Sequence, residues 1–247
     1  MIFLCSICKK EKKGKSSSGI CFKCREESHN NNVITLTKIP DDIDIEILKS
    51  YVEKDVKANL EYFADKNCNL NVNKEKAEWM IHKSCVNSKI IGSGNKPTDI
   101  QKEDYGMDIA VLCINGQYSN EKSLIQNFKT IGKDLDTQFT EERYNDALKL
   151  FMYEYKEKHD KLKEYGIGKN YYLVFLCNKT NIYLICLDTN MDLCNNVKIK
   201  KITETSIMID NFIDEKVGTV KLYKSKKRLE LRICKDVLDN INCVKLY

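Results

Sequence analysis

Apolar residues recur at helical spacing in the first half of the chain. Between residues 43 and 63 they fall on one helical face, and Asp41 and Asp42 precede this stretch as candidate caps. A second helix is predicted over residues 74–87, where the apolar side chains again share one face. Further helices are predicted over residues 120–128 and 141–163.

Short apolar runs rich in β-branched and aromatic residues predict strands in the rest of the chain. One run covers residues 107–114 and follows a glycine-containing turn. Two stronger runs, at residues 171–177 and 183–187, flank a polar turn. Shorter strands are predicted at residues 198–202, 206–209, 219–223 and 228–233. This order of elements predicts a mixed α/β fold with a β-rich C-terminal part.

Cysteine spacing near the N-terminus adds a metal site to this picture. Four of the twelve cysteines form two Cys-x2-Cys pairs, namely Cys5, Cys8, Cys21 and Cys24. Thiolates at this spacing hold one tetrahedral Zn²⁺, so we predict a structural zinc module over residues 1–32. Basic residues surround the predicted ligands, and Lys12 and Lys13 are candidate contacts to a phosphate backbone.

Composition limits the class of protein. The remaining cysteines are scattered and several lie in apolar runs, which indicates buried thiols in a reducing cytoplasm. No apolar stretch approaches the ~20 residues of a membrane helix, so no membrane partner is expected. The net charge of +5 permits nucleic-acid binding without requiring it. Beside the zinc module, we predict a core domain over residues 33–190 and a β-rich extension over residues 191–247.

Acidic residues in the predicted core suggest a second metal site. Asp99 follows a turn at the start of a short strand, and Asp108 begins the next strand. If these strands pair, both carboxylates reach the same end of the sheet and can bind Mg²⁺. Glu78, on the preceding helix, could add a further contact. Taken singly, an aspartate such as Asp99 is more often a turn or cap residue than a metal ligand, and one such as Asp108 is common at strand starts.

The residues Gly94-Asn95-Lys96-Pro97-Thr98-Asp99-Ile100, followed by Asp108-Ile109-Ala110, resemble the motif of the PD-(D/E)xK nuclease superfamily. The resemblance implies an αβββαβ core like that of type II restriction endonucleases. It also implies a sequence-specific double-stranded DNA endonuclease that uses Mg²⁺ to hydrolyse phosphodiesters. Asp99 and Asp108 would then be the magnesium ligands. Duplex DNA is the implied partner, and a homodimer is one expected assembly.

The chain departs from that motif at residue 110, where the resemblance implies lysine and the sequence has alanine. Three explanations stay open. Lys122 or Lys96 could supply the ammonium from another position, the chain could be an inactive relative, or Ala110 could be an engineered replacement of a catalytic lysine. We favour the third, because the surrounding strand keeps the rest of the motif.

Contacts to DNA are predicted on the helix that follows the motif strands. Lys122 and Gln126 could touch phosphate there, although a polar turn that caps a helix explains the same residues. The β-rich extension could help to read bases. Two other functions stay open: a zinc-ribbon nucleic-acid-binding protein without catalysis, and a zinc module that docks onto protein partners.

Overall fold

Two long helices begin at side-chain caps. The computed structural model describes residues 2–4, 11–13, 34–91, 97–113, 123–130, 160–189, 198–210, 212–223 and 228–247. Helix α1 (Ile45–Lys66) begins after Asp44, whose carboxylate accepts hydrogen bonds from the amides of Glu46 and Ile47 at 3.0 Å. The prediction that Asp41 and Asp42 cap this helix is therefore wrong, because the helix begins beyond their reach.

Helix α2 (Lys74–Ser84) follows α1 after a short connection. Its cap is Asn73, whose side chain accepts from the amide of Glu75 at 2.8 Å. Both helices present apolar side chains to one cluster, which includes Val52 on α1 and Ile81 on α2. None of the helices in the part of the chain that the structure describes is long and apolar enough to cross a membrane.

Strands make up most of the remaining described residues. In chain order they are β1 (Ile2–Leu4), β2 (Glu11–Lys13), β3 (Thr35–Thr37), β4 (Lys89–Ile90), β5 (Ile100–Lys102), β6 (Tyr105–Cys113), β7 (Ser123–Thr130), β8 (Lys169–Cys177), β9 (Ile182–Thr189), β10 (Lys198–Ile202), β11 (Ser206–Asp210), β12 (Gly218–Tyr223), β13 (Arg228–Cys234) and β14 (Val244–Lys245).

The larger sheet has the strand order β14-β9-β8-β6-β5-β4, and β3 also pairs with β9. Strand β5 pairs antiparallel with both β4 and β6, whereas β8 lies parallel to β6. The sheet is therefore mixed, and the predicted α/β class is confirmed at this level. Helix α2 and the β4–β6 meander come before the parallel strand in the chain.

The second sheet has the order β10-β11-β12-β13-β7 and is antiparallel throughout. It covers the face of the larger sheet opposite the helices. Along β6, Ile109 faces the helix-side cluster, while Ala110 belongs to the cluster shared by the two sheets. Val220 and Ile233 of the second sheet are fully buried in that shared cluster. The molecule thus has three layers: helices, mixed sheet and antiparallel sheet.

Strand β7 corrects one prediction. The sequence predicts a helix over residues 120–128, but residues Ser123–Thr130 form a strand that pairs with β13. Pairing of β7 with β13 also joins a segment of the predicted core to the predicted extension in one sheet. The long helix predicted over residues 141–163 lies mostly outside the described residues. The described residues at its C-terminal end, 160–164, are helical.

A separate hairpin lies near the N-terminus. Strands β1 and β2 pair antiparallel, with Leu4 opposite Glu11. The segment between them contains Cys5 and Cys8, which lie outside the described residues, as do Cys21 and Cys24. Lys12 and Lys13 lie on β2, opposite Phe3 and Ile2. The zinc module predicted from the cysteine spacing therefore stays a prediction.

Candidate active site

Asp99 lies at the entrance to β5 and joins that strand to β6 through its side chain. Its Oδ2 accepts a hydrogen bond from the amide of Ile109 at 2.8 Å. Its own carbonyl accepts from the amide of Ile91 at 2.9 Å. The carboxylate is thus held on the amide that immediately follows Asp108 in the chain. It is largely screened from solvent, with 17% of the side chain exposed.

Glu78 reaches the same point from the helix layer. Lys74, at the start of α2, lies one turn before Glu78, and its Nζ is 3.1 Å from Glu78 Oε1. The same Nζ lies 3.2 Å from Asp99 Oδ2. Burial lowers the pKa of Lys74, but the hydrogen bonds and negative charges of Glu78 and Asp99 outweigh it, so the net shift is upward. The two carboxylates therefore converge on one cation.

Asp108 is buried in a different hydrogen-bond network. Its Oδ2 accepts from the side-chain amide of Asn170 on β8 at 2.8 Å. The Asn170 carbonyl oxygen in turn accepts from the hydroxyl of Thr98 at 3.1 Å. Gly106 leaves the space for this network, because a Cβ there would lie 2.6 Å from Asn170 Oδ1. The burial of this aspartate is thus matched by a hydrogen-bond donor on a neighbouring strand.

Asp99, at the entrance to β5, and Asp108, on β6, have carboxylates with different partners. Asp99 shares Lys74 with Glu78, whereas Asp108 accepts from Asn170. Within the described ranges, no three His, Cys, Asp or Glu side chains form a group that could hold a metal ion. The pair that shares a cation is Glu78 with Asp99.

Ala110 lies in the apolar layer between the two sheets. Only 4% of the residue is exposed, and it pairs in register with Val174 of β8, which is fully buried. A lysine at this position would carry its ammonium into a region lined by aliphatic side chains, at a large desolvation cost. This packing favours alanine as the residue that the fold accommodates.

The predicted DNA contacts fall on other parts of the chain. Gln126 lies on β7, where it pairs with Leu231 of β13, and so is not on a helix. Lys122 and Lys96 lie outside the described residues. Lys12 and Lys13 lie on the N-terminal hairpin.

Sequence reasoning missed the residues that connect the acids to their surroundings. Lys74 carries the nearest signal, because it precedes Glu78 by one helical turn and the pair could have been proposed as an (i, i+4) ion pair. Nothing in the sequence marked Asn170 or Thr98, which meet Asp108 only through pairing of distant strands.

This arrangement combines two partly buried carboxylates, a cation between them and a third carboxylate on the adjacent strand. Carboxylate oxygens are the ligands that Mg²⁺ prefers in proteins, and Mg²⁺ commonly uses only one or two of them and keeps several waters. No protein-family model, curated protein or solved structure matches this chain.

Proposed function

We propose that the chain is a Mg²⁺-dependent DNA endonuclease of the PD-(D/E)xK type, with Glu78 and Asp99 as the acids that hold the ion. The convergence of these two carboxylates on a single cation carries the proposal. That cation, the ammonium of Lys74, marks a point where positive charge is stabilised by both acids.

The order of elements supports the same assignment. Helix α2 is followed by the β4–β6 meander, then by β7 of the second sheet, and then by β8 parallel to β6. The αβββαβ core implied by the resemblance shares the first helix, the three-strand meander and the parallel fourth strand, and has a helix between the third and fourth strands, where β7 lies in this chain. In that scheme Glu78 lies on the first helix, Asp99 enters the second strand and Asp108 lies on the third.

The residues fit a magnesium ion by their chemistry. Glu78 and Asp99 offer hard oxygen donors whose side chains are 15% and 17% exposed, so they are accessible without being freely mobile. When bound, the ion would polarise a phosphodiester oxygen and lower the pKa of a coordinated water. Asp99 is held in place by the amide of Ile109, and Asp108 is held separately by the side-chain amide of Asn170.

The zinc module would contribute binding rather than chemistry. Lys12 and Lys13 on β2 suit contacts to the phosphate backbone, which position a duplex without reading its sequence. We also propose that the enzyme recognises a specific DNA sequence, as restriction endonucleases do. The antiparallel sheet is the candidate region for base reading.

The decisive experiment compares purified chain with its Asp99→Asn variant on mixed-sequence duplex DNA in Mg²⁺ or Mn²⁺. Asparagine keeps a carbonyl oxygen for the Ile109 amide, so the variant should fold while losing the charge that holds the ion. We expect the unaltered chain to cut and Asp99→Asn to lose about 10²-fold or more of the rate. Chelation should abolish cutting by both.

Asp55→Asn is the matched control, because Asp55 of α1 pairs with Lys76 of α2 and its side chain is only 12% exposed. It removes an equal charge outside the proposed site and should leave cleavage intact. If the unaltered chain cuts no DNA but binds it in a zinc-dependent manner, the non-catalytic zinc-ribbon function replaces the nuclease.

A further inference from the structure

We propose that Lys74 is the mobile cation of this centre. Its ammonium neutralises Glu78 and Asp99 while no divalent ion is bound, and it turns to the scissile phosphate when the carboxylates take an ion. The inference rests on the proposed function. It assigns the ammonium to a residue of α2, far from residue 110 in the chain.

The first support is the geometry of the ion pairs. Lys74 Nζ is 3.1 Å from Glu78 Oε1, and it lies 3.3 and 3.2 Å from the two Asp99 oxygens. These distances are nearly equal, so the ammonium bridges the acids rather than pairing with one of them. A divalent ion bound by the same oxygens would have to displace it.

The second support is the contrast in exposure within the cluster. The acid side chains are 15% and 17% exposed, whereas the Lys74 side chain is 55% exposed. Asp99 is also fixed by the amide of Ile109. The acids are therefore held by the fold, while the lysine has a flexible stem and open solvent into which it can swing.

The third support is the balance of charge. Glu78 and Asp99 together carry two negative charges, and Lys74 leaves this group with a net charge of −1. Binding of a divalent cation changes the net charge of the group from −1 to +1 if Lys74 stays nearby. A group with net positive charge attracts a phosphodiester, and the displaced ammonium can donate to its non-bridging oxygens.

The fourth support is the environment of residue 110. Ala110 is packed between the sheets, so a side chain there points into the apolar layer and away from α2. In the part of the chain that the structure describes, Lys74 is the lysine in ion-pair contact with Asp99. The ammonium that the motif lacks at 110 is thus present on the helix face of the same strand pair.

Metal titration tests the counter-cation role directly. We expect Lys74→Met to bind Mn²⁺ about 3- to 10-fold more tightly than the unaltered chain, since partly exposed ion pairs no longer have to be broken. Lys76→Met is the matched control: Lys76 lies on the same helix, is 53% exposed and pairs with Asp55. It should leave Mn²⁺ affinity unchanged. Equal or weaker binding by Lys74→Met would overturn the inference.

Single-turnover cleavage tests the phosphate role. Lys74→Met should cut about 10²-fold more slowly despite its tighter metal binding, and Lys74→Arg should recover part of the rate because it keeps the charge. A purely structural role would lower the melting temperature and weaken both metal binding and cleavage. Cleavage by Lys74→Met at the normal rate would rule out the phosphate role.

The two proposals fail in different ways. If the unaltered chain binds Mn²⁺ through Asp99 and cuts DNA, but Lys74→Met behaves as Lys76→Met, the assignment of Lys74 is wrong and the nuclease stands. If the unaltered chain binds metal and cuts no DNA, the nuclease fails, and the change in Mn²⁺ affinity still decides whether Lys74 is the counter-cation. Absence of any Asp99-dependent metal binding overturns both.

Discussion

Asn170 on β8 donates a 2.8 Å hydrogen bond to the carboxylate of Asp108 on the adjacent parallel strand β6. The bond joins residues far apart in the chain and holds a buried acid in one orientation. It depends on the absence of a side chain at Gly106, which lies between Asn170 and Thr98.

Gly106→Ala should destabilise the fold, because the added methyl group would lie 2.6 Å from Asn170 Oδ1 and 2.8 Å from Thr98 Oγ1. Displacement of these groups should lower the free energy of unfolding by about 1–3 kcal/mol, measured by urea denaturation. Gly168→Ala is the control, since its Cβ would meet its nearest atom, the carbonyl oxygen of Asp104, at 3.8 Å. Equal stability of the two variants would contradict the tight packing described at Gly106.

Ala110→Lys should destabilise the protein rather than activate it. Residue 110 is 4% exposed between two apolar sheet faces, and burial of an ammonium there should cost several kcal/mol, on the order of 3 or more. Thermal unfolding and cleavage should be measured together. Gln101→Lys adds the same charge at a partly exposed position on β5 and should be tolerated. A stable Ala110→Lys variant that cuts faster would restore the idea of an engineered alanine.

Cys177 makes a pH-dependent contribution to stability. Burial, with a smaller effect of nearby Cys113, raises the pKa of the Cys177 thiol from its ordinary value of 9.0 to about 12. The folded thiol therefore stays protonated where the unfolded one ionises. Its stabilisation is complete below about pH 9 and is lost as the pH rises through 12.

The measurement is the difference in the free energy of unfolding between the unaltered chain and Cys177→Ala from pH 8 to 11. The difference should shrink by up to about 1.4 kcal/mol per pH unit above pH 9. The cavity left by alanine adds a constant offset and does not change that slope. If the free energies of unfolding of the two proteins change in parallel with pH, the fold does not raise the pKa of the Cys177 thiol.

Zinc content should follow the four N-terminal cysteines. We expect one Zn²⁺ per chain, and its release by Cys5→Ser or Cys21→Ser, because a tetrahedral site loses most of its affinity with one thiolate. A colorimetric zinc assay on the unfolded protein measures this. Cys68→Ser is the control, since Cys68 is an exposed free thiol near the end of α1. Zinc retained by both N-terminal variants would exclude the predicted ligand set.

Local elements were the most predictable part of the structure. The strand predicted at residues 198–202 is β10 (Lys198–Ile202), and the strands predicted at 171–177 and 183–187 lie within β8 and β9. Each is a short apolar run bounded by polar turns, so local pattern and tertiary environment agree. The mixed α/β class follows from the order of these elements.

Strand β7 shows where local pattern fails. Its residues follow a polar turn that resembles a helix cap, yet they form an edge strand of the second sheet through pairing with β13. Strand formation of this kind depends on a partner roughly one hundred residues away, which no local window includes.

The sequence also did not predict the residues that surround the three acids. The sequence indicated Glu78, Asp99 and Asp108 as candidates, and the order of the β4–β6 meander brings Asp99 beside β6. It did not indicate that Lys74 bridges two of them or that Asn170 binds the third. These contacts depend on how α2 and β8 pack against the meander, which is a property of the assembled layers.

The outer edge of β9 is shared by two short strands, β3 and β14, that flank it from opposite parts of the sequence. During synthesis, β8 and β9 can pair as soon as both have left the ribosome, but β14 is translated well after them. Until β14 is made, the edge of β9 at Tyr183 and Leu184 is unpaired, and its hydrogen-bonding groups face water or other chains. A nascent or truncated chain that lacks β14 would therefore expose an aggregation-prone strand edge. The yield of folded protein should then depend on chaperones that bind such edges.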